Sequence, residues 1–240
     1  MREIPTVHVS AGGNGTRIKE GMEHLGFTSG FPKHLLPTGE GSETLLGRIV
    51  RQAKQLGHVA IYANYDNVRF IGESADIDSD ASLQIARGFN GPLTAMIRDI
   101  NRTHDRSFAC AGDFWADFQW QEFAKFHEDH DMPVSILVGP SVPTYEGARF
   151  KVGDDGKVDS WERVDRTDSH DLINIGAYIV DPEKQVLRKL RELTWHKEDL
   201  FNDTMIKDGL MAAYVLDTPS YNVNNPEVYA ALVQDVVSRD

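Results

Sequence analysis

The sequence predicts an α/β fold: a mostly parallel, Rossmann-like, doubly wound sheet with helices on both faces. Two observations predict it. Short apolar runs alternate with segments of helical periodicity through the first half of the chain, a spacing that gives right-handed βαβ units and a parallel sheet. The first apolar run also breaks into "SAGGNGTRI", residues 10–18. That puts a glycine-rich loop at a strand's carboxyl end, where sheets of this kind bind ligands.

The elements follow in order. "TVHVSA" reads as a strand, and "ETLLGRIVRQAKQLG" as a helix with Leu45, Leu46, Ile49 and Val50 on one face. "HVAIYAN" is a second strand, "SLQIARG" a short edge strand and "GPLTAMIRDIN" a helix. "SFACAGDF" is a buried strand ending in an acidic turn, followed by the helix "QWQEFAKFHEDH" and the strand "PVSILVGP". After about residue 145 the texture changes. "GARFKVGDDGKVDSWERVD" alternates around an Asp-Gly turn, a hairpin signal. "DLINIGAYIVDPE" is a strand, "PEKQVLRKLREL" a helix, "LMAAYVLD" a strand and "NPEVYAALVQDVVSR" a closing helix. No linker divides the chain, so residues 1–240 read as one domain, with 1–145 and 146–240 forming the two walls of a cleft.

Composition bounds the function. With 240 residues, 40% of them hydrophobic, the chain can bury a full core. It has no apolar run of transmembrane length, and its start lacks the pattern of a signal peptide. The single cysteine, Cys110, rules out an internal disulfide framework and suits a cytoplasmic location. A net charge of -12 argues against a nucleic-acid surface. A small polyanion remains a possible ligand, provided local cations and a metal meet its charge.

Chemistry concentrates at the glycine loop. Successive backbone N–H groups there can form a concavity for phosphate oxygens, and the alternative is a plain solvent-exposed turn. Arg17 closes the loop, and Lys33 follows in "FPKHLLPTGEG". A planar guanidinium fork and a compact ammonium can meet across a triphosphate. The stretch between them, residues 19–31, has little hydrophobic pattern and is expected to be a mobile lid. His127 and His130, one helical turn apart, are expected at a solvated helix end rather than in a metal site. Cys110 is expected in the core. Trp115 and Trp120 suit either core packing or a sugar platform. No acidic residue ends a second strand where a dinucleotide fingerprint requires one.

Taken together, "SAGGNGTRI…FPKHLLPTGEGSETLLGRIV" resembles the signature of sugar-phosphate nucleotidylyltransferases, a glycine-rich "AGGxGTR" followed by "PKxLLP". The likeness runs along nearly the whole chain. "CAGDFWAD" is similar to the family's strand-ending Gly-Asp, and "SWER" stands where the family has a Glu-Lys pair. "INIGAYIVDPE" resembles its "NxGxYxF" strand, and "YNVNNPEVYAAL" its closing segment.

The resemblance implies that a phosphate oxygen of a sugar 1-phosphate attacks the α-phosphorus of an NTP, with pyrophosphate leaving. It makes 1–145 the nucleotide-binding half and 146–240 the acceptor half. Ser10, Ala11, Gly12, Gly13, Gly15, Thr16 and Gly91 would hold the nucleotide. Arg17 would grip the β- and γ-phosphates, and Lys33 would neutralise charge at the α-phosphate. Asp113 would ligate Mg²⁺ with Asn224, or with Asn222 under a different alignment of the closing segment. Glu162, Arg163 and Asn174 would hold the sugar phosphate. Three departures from the family pattern stand out: Arg163 in place of its usual Lys, asparagine in the closing segment, and Ala86 where some thymidylyl- and uridylyl-transferring relatives have Gln. The implied partners are an NTP and a sugar 1-phosphate, with neither nucleic acid nor membrane, and the chain is expected as a monomer or homo-oligomer. Two other readings are a cytidylyltransferase for a small alcohol phosphate such as phosphocholine and a non-catalytic nucleotide-binding homologue.

Overall fold

The structure, a computed structural model, describes residues 4–13, 18, 26–27, 31–39, 43–74, 76–77, 80–85, 92–103, 105–142, 147–165, 168, 171–192 and 198–239. Its frame is a mixed sheet. Strand β1 (Thr6–Ala11) pairs in parallel with β2 (His58–Ala63) on one side and with β4 (Ser107–Ala111) on the other. The edge strand β3 (Ser82–Ile85) extends the parallel set beyond β2. On the far side, β6 (Val134–Pro140) and β10 (Met211–Val215) are also parallel to one another. In the run of strands from β10 to β3 one is reversed: β9 (Leu172–Val180) is inserted antiparallel between β4 and β6. The expected hairpin is present as β7 (Gly147–Val152) and β8 (Val158–Val164), and it joins the sheet through β9.

Helices cover both faces, as the sequence predicts. On one face lie α1 (Leu45–Ala53), α2 (Tyr65–Glu73) and α4 (Trp120–Glu128). On the other lie α3 (Pro92–Thr103), α5 (Lys184–Glu192) and α6 (Glu198–Lys207). The side-chain alternation of the strands separates the two cores. Phe108 and Cys110 pack with α1 and α4, whereas Ala109 between them packs with α3. Cys110 is a core residue whose thiol burial pushes upward in pKa and keeps protonated.

A third apolar cluster does a different job. The closing helix α7 (Pro226–Val237) packs Val228, Tyr229, Leu232 and Val236 against Leu36, Leu45, Trp115, Tyr221 and Val223. These residues flank Lys33, Asp113 and Asn224. Trp115, 2% exposed and with the guanidinium groups of Arg48 and Arg239 over its ring, is a packing residue rather than a sugar platform. Trp120 is likewise buried, in edge-on contact with Phe108 and tilted contact with Phe118 and Phe123.

Two helices went unpredicted, α2 and α6. Each buries a stripe too short to give a periodic signal: Asn67 and Ile71 in α2, and Phe201, Asn202 and Met205 in α6. The histidine expectation needs correction. His127 is 2% exposed, not solvated, and its Nδ1 lies 2.7 Å from the Ser135 hydroxyl. His130 Nε2 lies 2.9 Å from the same hydroxyl. The helix end turns inward because β6 supplies Ser135 and the end of β9 leads to Asp181, whose carboxylate takes His127 and Arg106. Among the described residues no group of three or more His, Cys, Asp or Glu side chains is placed to hold a metal.

Buried imidazoles set the response to acid. Burial lowers the pKa of His8 more than its partner Asp99 raises it, and burial lowers His130 as well. A group whose folded pKa is lowered binds fewer protons than its unfolded counterpart below the ordinary 6.5. Folding stability is therefore expected to fall as pH drops through 6.5, and chemical denaturation from pH 8 to 5 measures it. His8→Gln should flatten the slope; an unchanged slope would remove His8 from the account.

Candidate active site

The glycine loop leaves β1 between its two parallel neighbours. Ser10 is aligned with Tyr62 of β2 and Ala111 of β4, so Ala11, Gly12 and Gly13 emerge at the carboxyl edge of the central sheet. At that edge β4 ends in Gly112-Asp113. The Gly112 N–H donates to the Ser10 carbonyl at 2.7 Å, and a Cβ on Gly112 would stand 2.7 Å from that same oxygen. Only glycine lets the Gly-Asp turn press onto β1. Asp113 is fixed there beside the loop.

Two later segments complete the centre. The Pro-Lys segment runs into a 3-10 turn, Lys33–Leu35, whose Leu35 is buried in the core. The closing segment forms a short ribbon, with β11 (Tyr221–Asn222) antiparallel to β5 (Phe114–Trp115). The Val223 N–H donates to the Asp113 carbonyl at 2.9 Å, which anchors the ribbon one residue before Asn224.

Lys33 lies at the meeting point. Its Nζ is in direct contact with Asp113 Oδ2. The same nitrogen lies 3.5 Å from Asn224 Oδ1. Its Cε is 3.7 Å from where a Cβ of Gly13 would sit. The structure thus brings Lys33, Asp113, Asn224 and the first part of the glycine loop together. Asn222 is paired in the ribbon opposite Phe114.

The electrostatics follow from this packing. The Lys33 and Asp113 side chains are only 11% and 14% exposed. Burial, the largest single influence, would raise the Asp113 carboxyl, but the adjacent Lys33 ammonium, with His34 and a backbone hydrogen bond, together leave its pKa lowered. His34, buried behind the pair, is pushed down to about 4, chiefly by burial, and is neutral at neutral pH.

The second half of the chain approaches through β9. Asn174 is buried, and its Oδ1 accepts the Gly176 N–H at 2.7 Å. Its Nδ2 donates to the Tyr178 hydroxyl at 2.6 Å and to Glu198 Oε1 at 2.7 Å. The three residues of the "NxGxY" pattern therefore form one unit along one strand. Gly176 has φ +88°, and a Cβ there would stand 3.0 Å from that of Ala111. That contact ties the Asn174 unit to the strand carrying Asp113. Burial keeps the Glu198 carboxyl raised despite its bonds to Tyr178 and Asn174.

Glu162 and Arg163 are neighbours on β8 and so face opposite sides of the hairpin. Glu162 is paired with Arg149 at 2.6 Å, and Arg163 with Asp199 at 2.6 Å. Neither contact joins them to Lys33 or Asp113. Arg17, Gly15, Thr16 and Gly91, with Ala86 and most of the expected lid, lie outside the described residues. Sequence reasoning missed four residues that surround the site. Tyr178 and Glu198 hold Asn174, and Asn64 and Asn67 bond the glycine loop. The signal for Asn64 was a helix-cap residue directly after the second strand.

A doubly wound sheet with a strand reversed at its centre, and an ammonium–carboxylate pair at its carboxyl edge, defines the α/β class of the domain. Solved structures share it. HddC from Yersinia pseudotuberculosis superposes with a TM-score of 0.69 over 97% of this chain and 99% of its own, at 16% identity. HddC complexed with GMP-PN gives 0.72 over the same shares, at 15% identity. A Bacillus anthracis protein assigned as a glucose-1-phosphate thymidylyltransferase, solved with sucrose, gives 0.73 over 99% of this chain and 96% of its own, at 16% identity. No protein-family model matches the chain, and no curated protein matches it.

If Lys33 holds Asp113 ionised, removing the ammonium must expose the cost of burying that carboxylate. In Lys33→Met the Asp113 pKa is expected to rise above the ordinary 3.8. A carboxyl-carbon NMR titration reads it directly. A pKa that stayed low would show that backbone bonding, not Lys33, stabilises the anion.

Proposed function

We propose that the protein is a sugar-phosphate nucleotidylyltransferase, joining an NTP and a sugar 1-phosphate to give an NDP-sugar and pyrophosphate. The observation that carries the reading is the convergence of Lys33, Asp113 and Asn224 beside the glycine loop at the carboxyl edge of the sheet. The fold supports it, since one of the structures sharing it is complexed with GMP-PN and another is assigned as a glucose-1-phosphate thymidylyltransferase.

In this reading a phosphate oxygen of the acceptor forms a bond to the α-phosphorus as the bond to the pyrophosphate oxygen breaks. The protein supplies alignment and charge rather than a covalent intermediate. The N–H groups of Gly12 and Gly13, with Gly15 and Thr16, hold the phosphates, and Arg17 stabilises the departing pyrophosphate. Ser10, Ala11 and Gly91 border the base. Lys33 leaves Asp113 for the α-phosphate, where negative charge builds in the transition state.

The residues at the centre fit Mg²⁺. Asp113 and Asn224 present two oxygens toward one cation, the Lys33 ammonium, and hard oxygen donors are what Mg²⁺ takes. Asp113 and Asn224 would hold the ion, which when bound would neutralise phosphate charge. So small a donor set implies that the metal arrives with the nucleotide. On the acceptor side, Glu162 takes sugar hydroxyls, Arg163 grips the sugar phosphate and Asn174 orients the ring. Engagement of Glu162 and Arg163 requires exchange of their present partners, Arg149 and Asp199.

Asp113→Asn is expected to abolish Mg²⁺-dependent pyrophosphate release in a protein that still folds, with a lowered melting temperature because the Lys33 ammonium loses its buried partner. Activity above about a tenth of wild type would remove Asp113 from the metal site. Lys33→Ala should lower kcat by about a hundredfold or more, the scale of one lost preorganised donor, with a much smaller effect on nucleotide Kd. A mutant with normal kcat and only a raised KM would overturn the transition-state role. Glu162→Ala should weaken binding of the sugar phosphate and spare the nucleotide, and calorimetry of each separates the two walls. Weakened nucleotide binding instead would reverse the map of the cleft.

A further inference from the structure

Three successive carbonyls of the glycine loop are captured from one side. Asn67 Nδ2, on a side chain buried within the protein, donates to Ala11 O at 3.0 Å and to Gly13 O at 3.3 Å. Asn64 Nδ2 donates to Gly12 O at 2.9 Å. In a trans peptide the C=O and the following N–H point in opposite directions. Peptides whose oxygens turn toward α2 therefore turn the N–H groups of Gly12 and Gly13 away from it. A loop that offers consecutive N–H groups to an anion must bury or bond the carbonyls behind them. Two side-chain amides meet that demand here.

We propose that Asn64 and Asn67 are positioning residues for the phosphate loop, fixing through three carbonyls the direction in which its N–H groups face the cleft. The inference rests on the nucleotidyl-transfer reading for its ligand. Asn64 carries two separable roles, because its Oδ1 also caps α2 by accepting the Asn67 N–H at 2.8 Å. Aspartate and serine cap a helix about as well as asparagine, but neither carries an amide that reaches Gly12. In Asn64→Asp the cap is kept, while a carboxylate oxygen faces the Gly12 carbonyl where a donor stood. Asn64→Ser removes the donor without adding charge. Comparing the two isolates positioning from electrostatic repulsion of the phosphates.

The experiment is calorimetry of ATP, CTP, GTP, UTP and dTTP, each with Mg²⁺, on wild type, Asn64→Asp and Asn64→Ser, beside thermal melting of each. The best-bound nucleotide is expected to bind about tenfold more weakly to both variants, the scale of one hydrogen bond removed from a group left unsatisfied. Melting temperatures should fall by a few degrees whichever role Asn64 has, so nucleotide affinity is the deciding readout. A purely structural Asn64 would lower the melting temperature and leave nucleotide affinity within twofold, and that result overturns the proposal. So does unchanged affinity in Asn64→Ser with loss only in Asn64→Asp, which would mean charge alone. Should Asn64→Asp not fold, Asn64→Ser carries the same comparison. Wild type that binds none of the five nucleotides would instead defeat the nucleotide reading itself, a separate failure seen before any variant is tested.

Discussion

A carboxylate and an ammonium held together with little access to water set the terms for the rest of this molecule. Asp113 and Lys33 are far apart in sequence, and each would be costly to bury alone. Their partnership requires three parts of the chain to meet: the end of β4, the Pro-Lys segment and the closing segment before α7. None of these comes together through local structure. The apolar cluster of Leu36, Leu45, Trp115, Tyr221, Val223 and Leu232 closes them on one another. The sheet supplies a rigid edge, and this third core supplies the grip that keeps the polar centre assembled.

Charge explains why the centre has the form it does. The chain carries a net -12, so a polyanion needs positive groups concentrated at one place rather than spread over a surface. Lys33 provides one and the loop's N–H groups provide partial charges. The site combines Asp113 with an uncharged Asn224 where many relatives, by the resemblance, carry a second aspartate. With one fixed negative charge fewer, the Lys33 ammonium is balanced by Asp113 alone. Under the proposed function, little electrostatic cost would attach to exchanging that ammonium for a metal that brings its own phosphates.

Much of this was legible in the sequence. The strands that end at the site, β1 and β4, are short, largely buried runs each followed by glycine, Gly12 and Gly112, and the candidate residues lie at their carboxyl ends as expected. Lys33, Asp113 and Asn224 were all candidates before their meeting was seen. What could not be read was contact between distant segments. The ion pairs of Glu162 with Arg149 and of Arg163 with Asp199 depend on hairpin register and on α6, a helix whose short buried stripe gives no period. The inward turn of His127 depends on Ser135 and Asp181, supplied by other elements. Asn67 looks like any polar helix residue until the loop carbonyls above it are located.

The proposed function requires one cleft in which Lys33 would trade Asp113 for phosphate while Asp113 and Asn224 take up the metal. A crystal structure with Mn²⁺ and a non-hydrolysable NTP analogue, read at the manganese absorption edge, tests that directly. The expected result is an anomalous peak between Asp113 and Asn224, triphosphate oxygens on the Gly12–Gly13 loop, and Lys33 moved onto the α-phosphate. A nucleotide bound elsewhere, or bound with the Lys33–Asp113 pair unbroken and no metal at Asp113, would contradict it.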